Sequence, residues 1–220
     1  MIKLFLEFQE VLFKAFTETF YLLVMSMMFS LVFGLLIGFA LFLFRKEGIK
    51  SSPYMYFILS SLINIVRSIP FVLFIIVMIP FNRIIVGSGF GVKASVIPLS
   101  IMGIANFARL VEQDLLDVNR AMYETSYALG ASNYQYFKEF LLVEARSSLV
   151  LSYTSTLISI LSYSTVMGFI GGGGLGYLAI SEGYNNFNYP LMWLIILIMI
   201  IIVQCIQFIG NIISRKIDYR

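Results

Sequence analysis

The sequence predicts an all-α, polytopic membrane protein, and three observations carry that prediction. Of 220 residues, 60% are hydrophobic and 12% charged, against roughly 45–50% and about 25% in an average soluble domain. So few charges cannot shield so much apolar surface from water. The charges also leave free stretches about as long as the ~20 apolar helical residues that one bilayer crossing needs. Finally, the chain has no His and a single Cys, Cys205. This excludes His-based zinc sites, Ser-His-Asp and Cys-His nucleophile sets and a His general base. It equally excludes an intrachain disulfide or a CxxC redox pair. The net charge of +3 gives no nucleic-acid signature, and no cofactor or metal is implied.

The first span is Thr19–Phe44, between the charges of Glu18 and Arg45. Before it, Phe5, Phe8, Leu12 and Phe16 lie at helical spacing, so Met1–Glu18 is expected to be an interfacial helix rather than a cleavable signal peptide. After the charged loop Arg45–Lys50, Tyr54–Val66 and Phe71–Phe81 are each too short to cross alone, with Arg67-Ser68-Ile69-Pro70 between them. Together they make one kinked or tilted span, residues 54–81. A re-entrant hairpin is the less favoured alternative. Spans three to five fall at about 93–110, 147–170 and 190–213, giving a single transmembrane domain over 1–220.

Five spans put the termini on opposite sides. With the N-terminus outside and the C-terminus cytoplasmic, the inner segments hold Arg45, Lys46, Lys50, Arg109, Arg120, Lys138, Arg146, Arg215, Lys216 and Arg220. The outer ones hold Lys3, Lys14, Arg83 and Lys93. The positive-inside rule favours this orientation.

The longest polar interruption, residues 111–146, carries six acidic residues and belongs outside the hydrocarbon. Asn119 is placed to cap a helix running to Leu129, and Gly130 suits the left-handed residue after it. Ser132 followed by Gln135 opens a second helix with a capping-box pattern. Tyr134, Phe137, Leu141 and Leu142 then form its apolar side. Such a hairpin is either an amphipathic connector on the membrane surface or a docking element for a soluble partner.

Glu124-Thr125-Ser126-Tyr127-Ala128-Leu129-Gly130, nine residues, then Phe140-Leu141-Leu142-Val143 resembles the EAA loop of binding-protein-dependent ABC importer permeases. Glu124, Gly130 and Leu142 match that pattern; Thr125 and Ser126 replace its two alanines, Phe140 its isoleucine and Val143 its proline. Asn64-Ile65-Val66-Arg67-Ser68-Ile69-Pro70-Phe71, Ile79–Gly87 and Gly172–Gly176 are similar to segments of methionine-type importer permeases, in the same order. The resemblance implies a type I ABC importer permease fold in the bacterial cytoplasmic (inner) membrane. It further implies a homodimeric pore surrounded by membrane lipid, two cytoplasmic ABC ATPase subunits and an extracytoplasmic substrate-binding lipoprotein. Glu124, Thr125, Ser126, Gly130 and Ala131 would then couple to the ATPase. The chain itself would be a transport subunit and no enzyme.

Arg67 is costly in hydrocarbon, by ~2.5–3.5 kcal/mol on insertion scales. It is expected to pair structurally, to line the translocation path, or to snorkel to the interface. Gly171–Gly174 with Gly176 lacks the Lys-Ser/Thr that a phosphate loop requires and reads as a tight turn that is also a candidate gating loop. Tyr163, Val166 and Met167, just before it, are candidates for a gate that closes by dewetting; the neighbouring hydroxyls also suit simple helix contacts. Gly34 and Gly38 form a GxxxG step, and the methionines read as adaptable packing. The competing functional readings are the same machine carrying another amino acid or small solute, an intramembrane enzyme, and a channel without energy input.

Overall fold

The computed structural model describes residues 8–46 and 48–218; Lys3, Phe5 and Arg220 lie outside them. The described residues form helices and connecting turns.

Helix α1 runs over Gln9–Phe44. Its 36 residues make a rod of about 54 Å, longer than the ~30 Å hydrocarbon core. The interfacial helix expected before residue 19 is therefore not a separate element. Leu12 and Ala15 are buried against Leu175, Leu178, Leu191 and Leu194, so these turns pack on protein; Phe16 remains exposed.

Helices α2 (Pro53–Ser68) and α3 (Phe71–Val86) meet at 109°. Pro70 has no N–H to continue α2, and extended Ile69 makes the corner. Helix α4, Val92–Leu116, passes both. Asn64 and Arg67 of α2 bond Arg109 and Asn106 of α4, while α3 leads through Gly87–Gly91 to the start of α4. The outer ends of the bent pair therefore lie toward opposite ends of α4.

The GxxxG step packs α1 on α4. A Cβ on Gly34 would lie 2.8 Å from the Phe107 ring, and one on Gly38 would lie 2.6 Å from Val111 and 2.8 Å from the Ala108 carbonyl. Only glycine allows so close an approach. The central core joins Leu22, Phe74, Ile75, Leu99, Ile160 and Met167 from four long helices.

Helix α5, Arg120–Ala128, precedes α6, a continuous helical run over Asn133–Ile170. A π turn at Tyr136–Leu141 interrupts α6. The one extra residue in that turn rotates the remainder of the helix by about 100°. Of the expected apolar side, Leu141 is buried and Phe137 and Leu142 pack with it against Phe42, Val111 and Leu115, while Tyr134 is exposed and Tyr136 is buried in its place. Beyond Gly171–Gly173 come the short helix α7, Gly174–Leu178, a second π turn at Ala179–Asn185, and α8, Tyr189–Ile217. Gly171, Gly173 and Gly174 all have positive φ (72°, 75° and 80°), which bulkier residues rarely adopt. Helix α8 leaves much of its length exposed, Asn211 included, and docks on α6 through a 2.7 Å Ser147–Ser214 hydroxyl pair.

Candidate functional site

Two groups of residues stand out, at the hairpin and at the α2–α3 corner. The hairpin is closed by short-range hydrogen bonds. Asn119 Oδ1 accepts from Ala121 N–H at 2.9 Å. Gly130, with φ 76°, ends the helix while Ala131 N–H reaches the Ser126 carbonyl at 3.0 Å. The capping box is complete: Gln135 Oε1 accepts from Ser132 N–H at 2.9 Å, and Ser132 Oγ accepts from Gln135 N–H at 3.3 Å.

Of the five residues expected to couple to a partner, Glu124 and Thr125 are exposed and Ala131 is half-buried. Ser126 is placed differently. It is only 1% exposed, and its hydroxyl donates to the Tyr123 carbonyl at 2.8 Å. It supports α5 from within and presents nothing outward. The exposed apolar surface of the hairpin is supplied by Tyr127 (75%), Leu129 (72%) and Tyr134. Two aromatic rings hold the hairpin together, with Tyr123 edge-on to Tyr136 at 5.0 Å.

At the corner, Arg67 Nε donates to Asn106 Oδ1 at 3.2 Å, and Asn106 Nδ2 donates to the Tyr163 hydroxyl at 3.4 Å. The Tyr163 ring lies 4.6 Å from that of Phe71, the first residue of α3, tilted by 32°. Arg67 thus finds an amide rather than a carboxylate, and the chain of contacts ties α2, α3, α4 and α6 together. Arg67, Asn64 and Ser68 share one exposed face of α2. One turn lower, Arg109 joins Asn64 at 3.1 Å to buried Glu112 by an ion pair.

Ser155 and Ser162 are exposed on α6, and Ser159 is half-buried. Ser159 and Ser162 bond their own helix four residues back, at 3.0 and 3.1 Å. Their hydroxyls are satisfied within α6, while the Tyr163 hydroxyl beside them meets Asn106 of α4 across helices. Met167, at 1% exposure, belongs to the central core. Val166 and Tyr163 are half-buried against that core. Sequence reasoning missed Asn106, Glu18 and Thr19. Asn106 was legible only as one amide in an apolar span; the other two accept the N–H groups of Gly174 and Leu175.

Apolar helices of bilayer length, a polar face that includes an exposed arginine, and a rigid hairpin at one end define the class of membrane-spanning transport permeases. The family model for the binding-protein-dependent transport system inner membrane component matches residues 30–219. The chain belongs to that family. It is 35% identical over 203 residues to the probable D-methionine transport system permease protein MetI of Pasteurella multocida, covering 92% of this chain and 94% of that protein. Its identity to the Vibrio cholerae counterpart is 34% over 211 residues, 96% of this chain and 94% of that one. Among solved structures, the inward-facing MetNI methionine ABC transporter matches with a TM-score of 0.91 at 35% identity, covering 96% of this chain and 98% of that chain. The fold is that of type I ABC importer permeases, and the chain is a membrane transport subunit rather than an enzyme.

Proposed function

We propose that this chain is the permease subunit of an ATP-driven importer carrying methionine across the bacterial cytoplasmic membrane. It works as a homodimer with two cytoplasmic ABC ATPase subunits and takes substrate from an extracytoplasmic binding lipoprotein. The observation that carries the mechanism is the helical run of α6, which continues through its π turn. Its first turns form one arm of the hairpin, and its far end holds Tyr163, Val166 and the glycine turn. At 1.5 Å per residue those 38 residues span about 57 Å, so a push on the hairpin reaches the opposite side of the bundle through one rod.

In this reading the whole chain, 1–220, is one transmembrane domain, with its N-terminus outside and residues 111–146 as the coupling loop. Glu124, Thr125, Tyr127 and Leu129 meet the ATPase, with Gly130 and Ala131 setting the turn. ATP binding shifts the dimer between inward- and outward-facing states only as far as it favours one over the other. The exposed face of Arg67, Asn64 and Ser68 borders the translocation path, because a guanidinium facing lipid would cost ~2.5–3.5 kcal/mol. Tyr163 and Val166 close that path, and Met167 backs them from the core. Any substrate contact is brief, since a path must release what it holds.

The test is uptake into proteoliposomes holding the assembled complex, with the binding protein added outside and a panel of amino acids offered. ATP-dependent accumulation of methionine in preference to the others is expected. Preference for another amino acid would reassign the substrate, and permease that purifies without an ATPase would overturn the importer reading.

A further inference from the structure

At the root of the hairpin, a cleft of about 250 Å³ opens between the end of α1, the loop after it, the end of α4 and the two arms of the hairpin. Its walls include Phe42, Arg45, Gly48, Leu115, Tyr123 and Tyr136. Its polar side chains are one guanidinium and two phenols. The Arg45 guanidinium lies over the Phe42 ring, 5.0 Å from its centroid. Its Nε–H is buried without a hydrogen-bond acceptor among the described residues. The phenols of Tyr123 and Tyr136 reach the same cleft, and the charge on Arg45 lies near enough to act on the Tyr136 hydroxyl.

A buried donor on a charged group is costly when unmatched, more so than a neutral one. Here no acceptor from the described residues meets the Nε–H. An anion from outside the described residues would match it; Glu47, the one acid of this loop, lies outside them. A planar guanidinium offering paired N–H groups, with phenolic O–H donors beside it, suits the tetrahedral oxygens of a phosphate. The loop adds two exposed cations, Lys46 and Lys50, which raise the local anion concentration. In the orientation proposed above, the cleft lies at the cytoplasmic rim of the bilayer. Basic pockets between spans at that level are matched to lipid head groups.

We propose that this cleft is a phosphate-binding site, with Arg45 as its anchor and Tyr123 and Tyr136 as further donors. Its occupant is the phosphate of an anionic phospholipid of the inner leaflet or of a small soluble phosphate compound. Tyr123 belongs to α5, Tyr136 to α6 and Arg45 to the end of α1. A bound phosphate thus fastens the docking hairpin to the membrane domain and stiffens the lever on which coupling depends.

The experiment uses the assembled permease–ATPase complex in nanodiscs of phosphatidylcholine with and without phosphatidylglycerol. It compares wild type, Arg45→Gln, Arg45→Lys and Tyr136→Phe. Native mass spectrometry counts retained phosphatidylglycerol, and ATP hydrolysis is measured in parallel. Wild type is expected to retain the anionic lipid and to hydrolyse ATP faster in its presence. Arg45→Gln should lower retention roughly tenfold, the loss of one charge-assisted hydrogen bond, and flatten the lipid response. Arg45→Lys, which keeps the charge without the fork, should fall between. Glycerol 3-phosphate added to lipid-free complex identifies a soluble occupant if it protects against thermal unfolding in wild type and not in Arg45→Gln. Tyr136→Phe guards against a folding artefact, because it keeps the ring that packs on Tyr123 and removes only the hydroxyl. Equal lipid retention and equal glycerol 3-phosphate response in wild type and Arg45→Gln, or neither ligand bound by wild type, overturns the proposal.

Discussion

The carboxylate of Glu18 accepts a hydrogen bond from the backbone N–H of Gly174 at 2.8 Å, across 156 positions of the chain. Beside it, Thr19 Oγ1 accepts from Leu175 N–H, also at 2.8 Å. These two side chains of α1 satisfy free N–H groups at the start of α7 and pin the glycine turn, whose backbone no other residue type adopts easily. Glu18→Ala is expected to cost ~1–2 kcal/mol, the usual scale for losing a helix cap. Glu18→Gln, which retains an acceptor oxygen, should cost less. Thermal unfolding of the purified complex checks this; an unchanged midpoint for Glu18→Ala would remove the clamp from the account.

The two glycines of the GxxxG step are not equivalent. A Cβ at Gly34 meets the Phe107 side chain, which can turn aside, whereas a Cβ at Gly38 also meets the Ala108 carbonyl of the α4 backbone. Gly38→Ala should therefore destabilise more than Gly34→Ala, by ~1–3 kcal/mol on the scale of overpacked cores. The yield of monodisperse protein in size-exclusion chromatography ranks the pair, and the reverse order would show that Phe107 is the more rigid neighbour.

Legibility in the sequence tracks the range of each interaction. Asn119, Gly130 and the Ser132–Gln135 box act within three residues of their partners, so the caps and the turn of the hairpin were legible. Pro70 announced that α2 must end but not the 109° corner, which depends on packing against α4 and α6. The resemblance identified Thr125 and Ser126 as a pair, yet one faces out and the other in, because a nine-residue helix has an inner side. Of the apolar side expected on α6, Leu141 is buried and Phe137 and Leu142 pack with it, while Tyr134 turns outward; the π turn that begins at Tyr136 leaves no mark in a periodicity count. Arg67 signalled itself by its charge, while Asn106, its partner 39 positions away, carries no sequence mark of that pairing.

That division of the hairpin separates docking from support. Tyr127→Ala removes an exposed ring and should change stability by less than ~0.5 kcal/mol, as surface substitutions usually do. It should nevertheless reduce the ATPase that copurifies with the permease. Ser126→Leu forces a larger side chain into a buried position and should lower the unfolding midpoint first. A Ser126→Leu protein that melts normally but loses its ATPase would return Ser126 to the contact surface.

At the corner, Arg67 and Asn106 should differ in consequence. Arg67→Ala removes the exposed charge and is expected to reduce uptake severalfold in proteoliposomes while the complex still assembles. Asn106→Ala breaks the bridge to Tyr163 but leaves the charge in place. Its loss should be about that of an ordinary hydrogen bond, ~0.5–1.5 kcal/mol of stability, with a smaller effect on uptake. Uptake at the wild-type rate by Arg67→Ala would reduce Arg67 to a packing residue.

Neighbouring Val166 and Met167 provide the sharpest separation of gate from core. Met167 is buried among Leu22, Leu99 and Ile160, and its carbonyl accepts from Gly172 N–H at 2.9 Å where the glycine turn begins. Met167→Ala leaves a cavity there and should cost ~2–5 kcal/mol. Val166, half-buried one position earlier, loses fewer contacts on truncation, so Val166→Ala should melt close to wild type. If its side chain helps close the path, that variant admits water at the constriction and leaks substrate without ATP. The two measurements, unfolding midpoint and ATP-independent flux, should therefore move in different variants. A Met167→Ala complex that leaks while melting normally would place the constriction one residue further along α6.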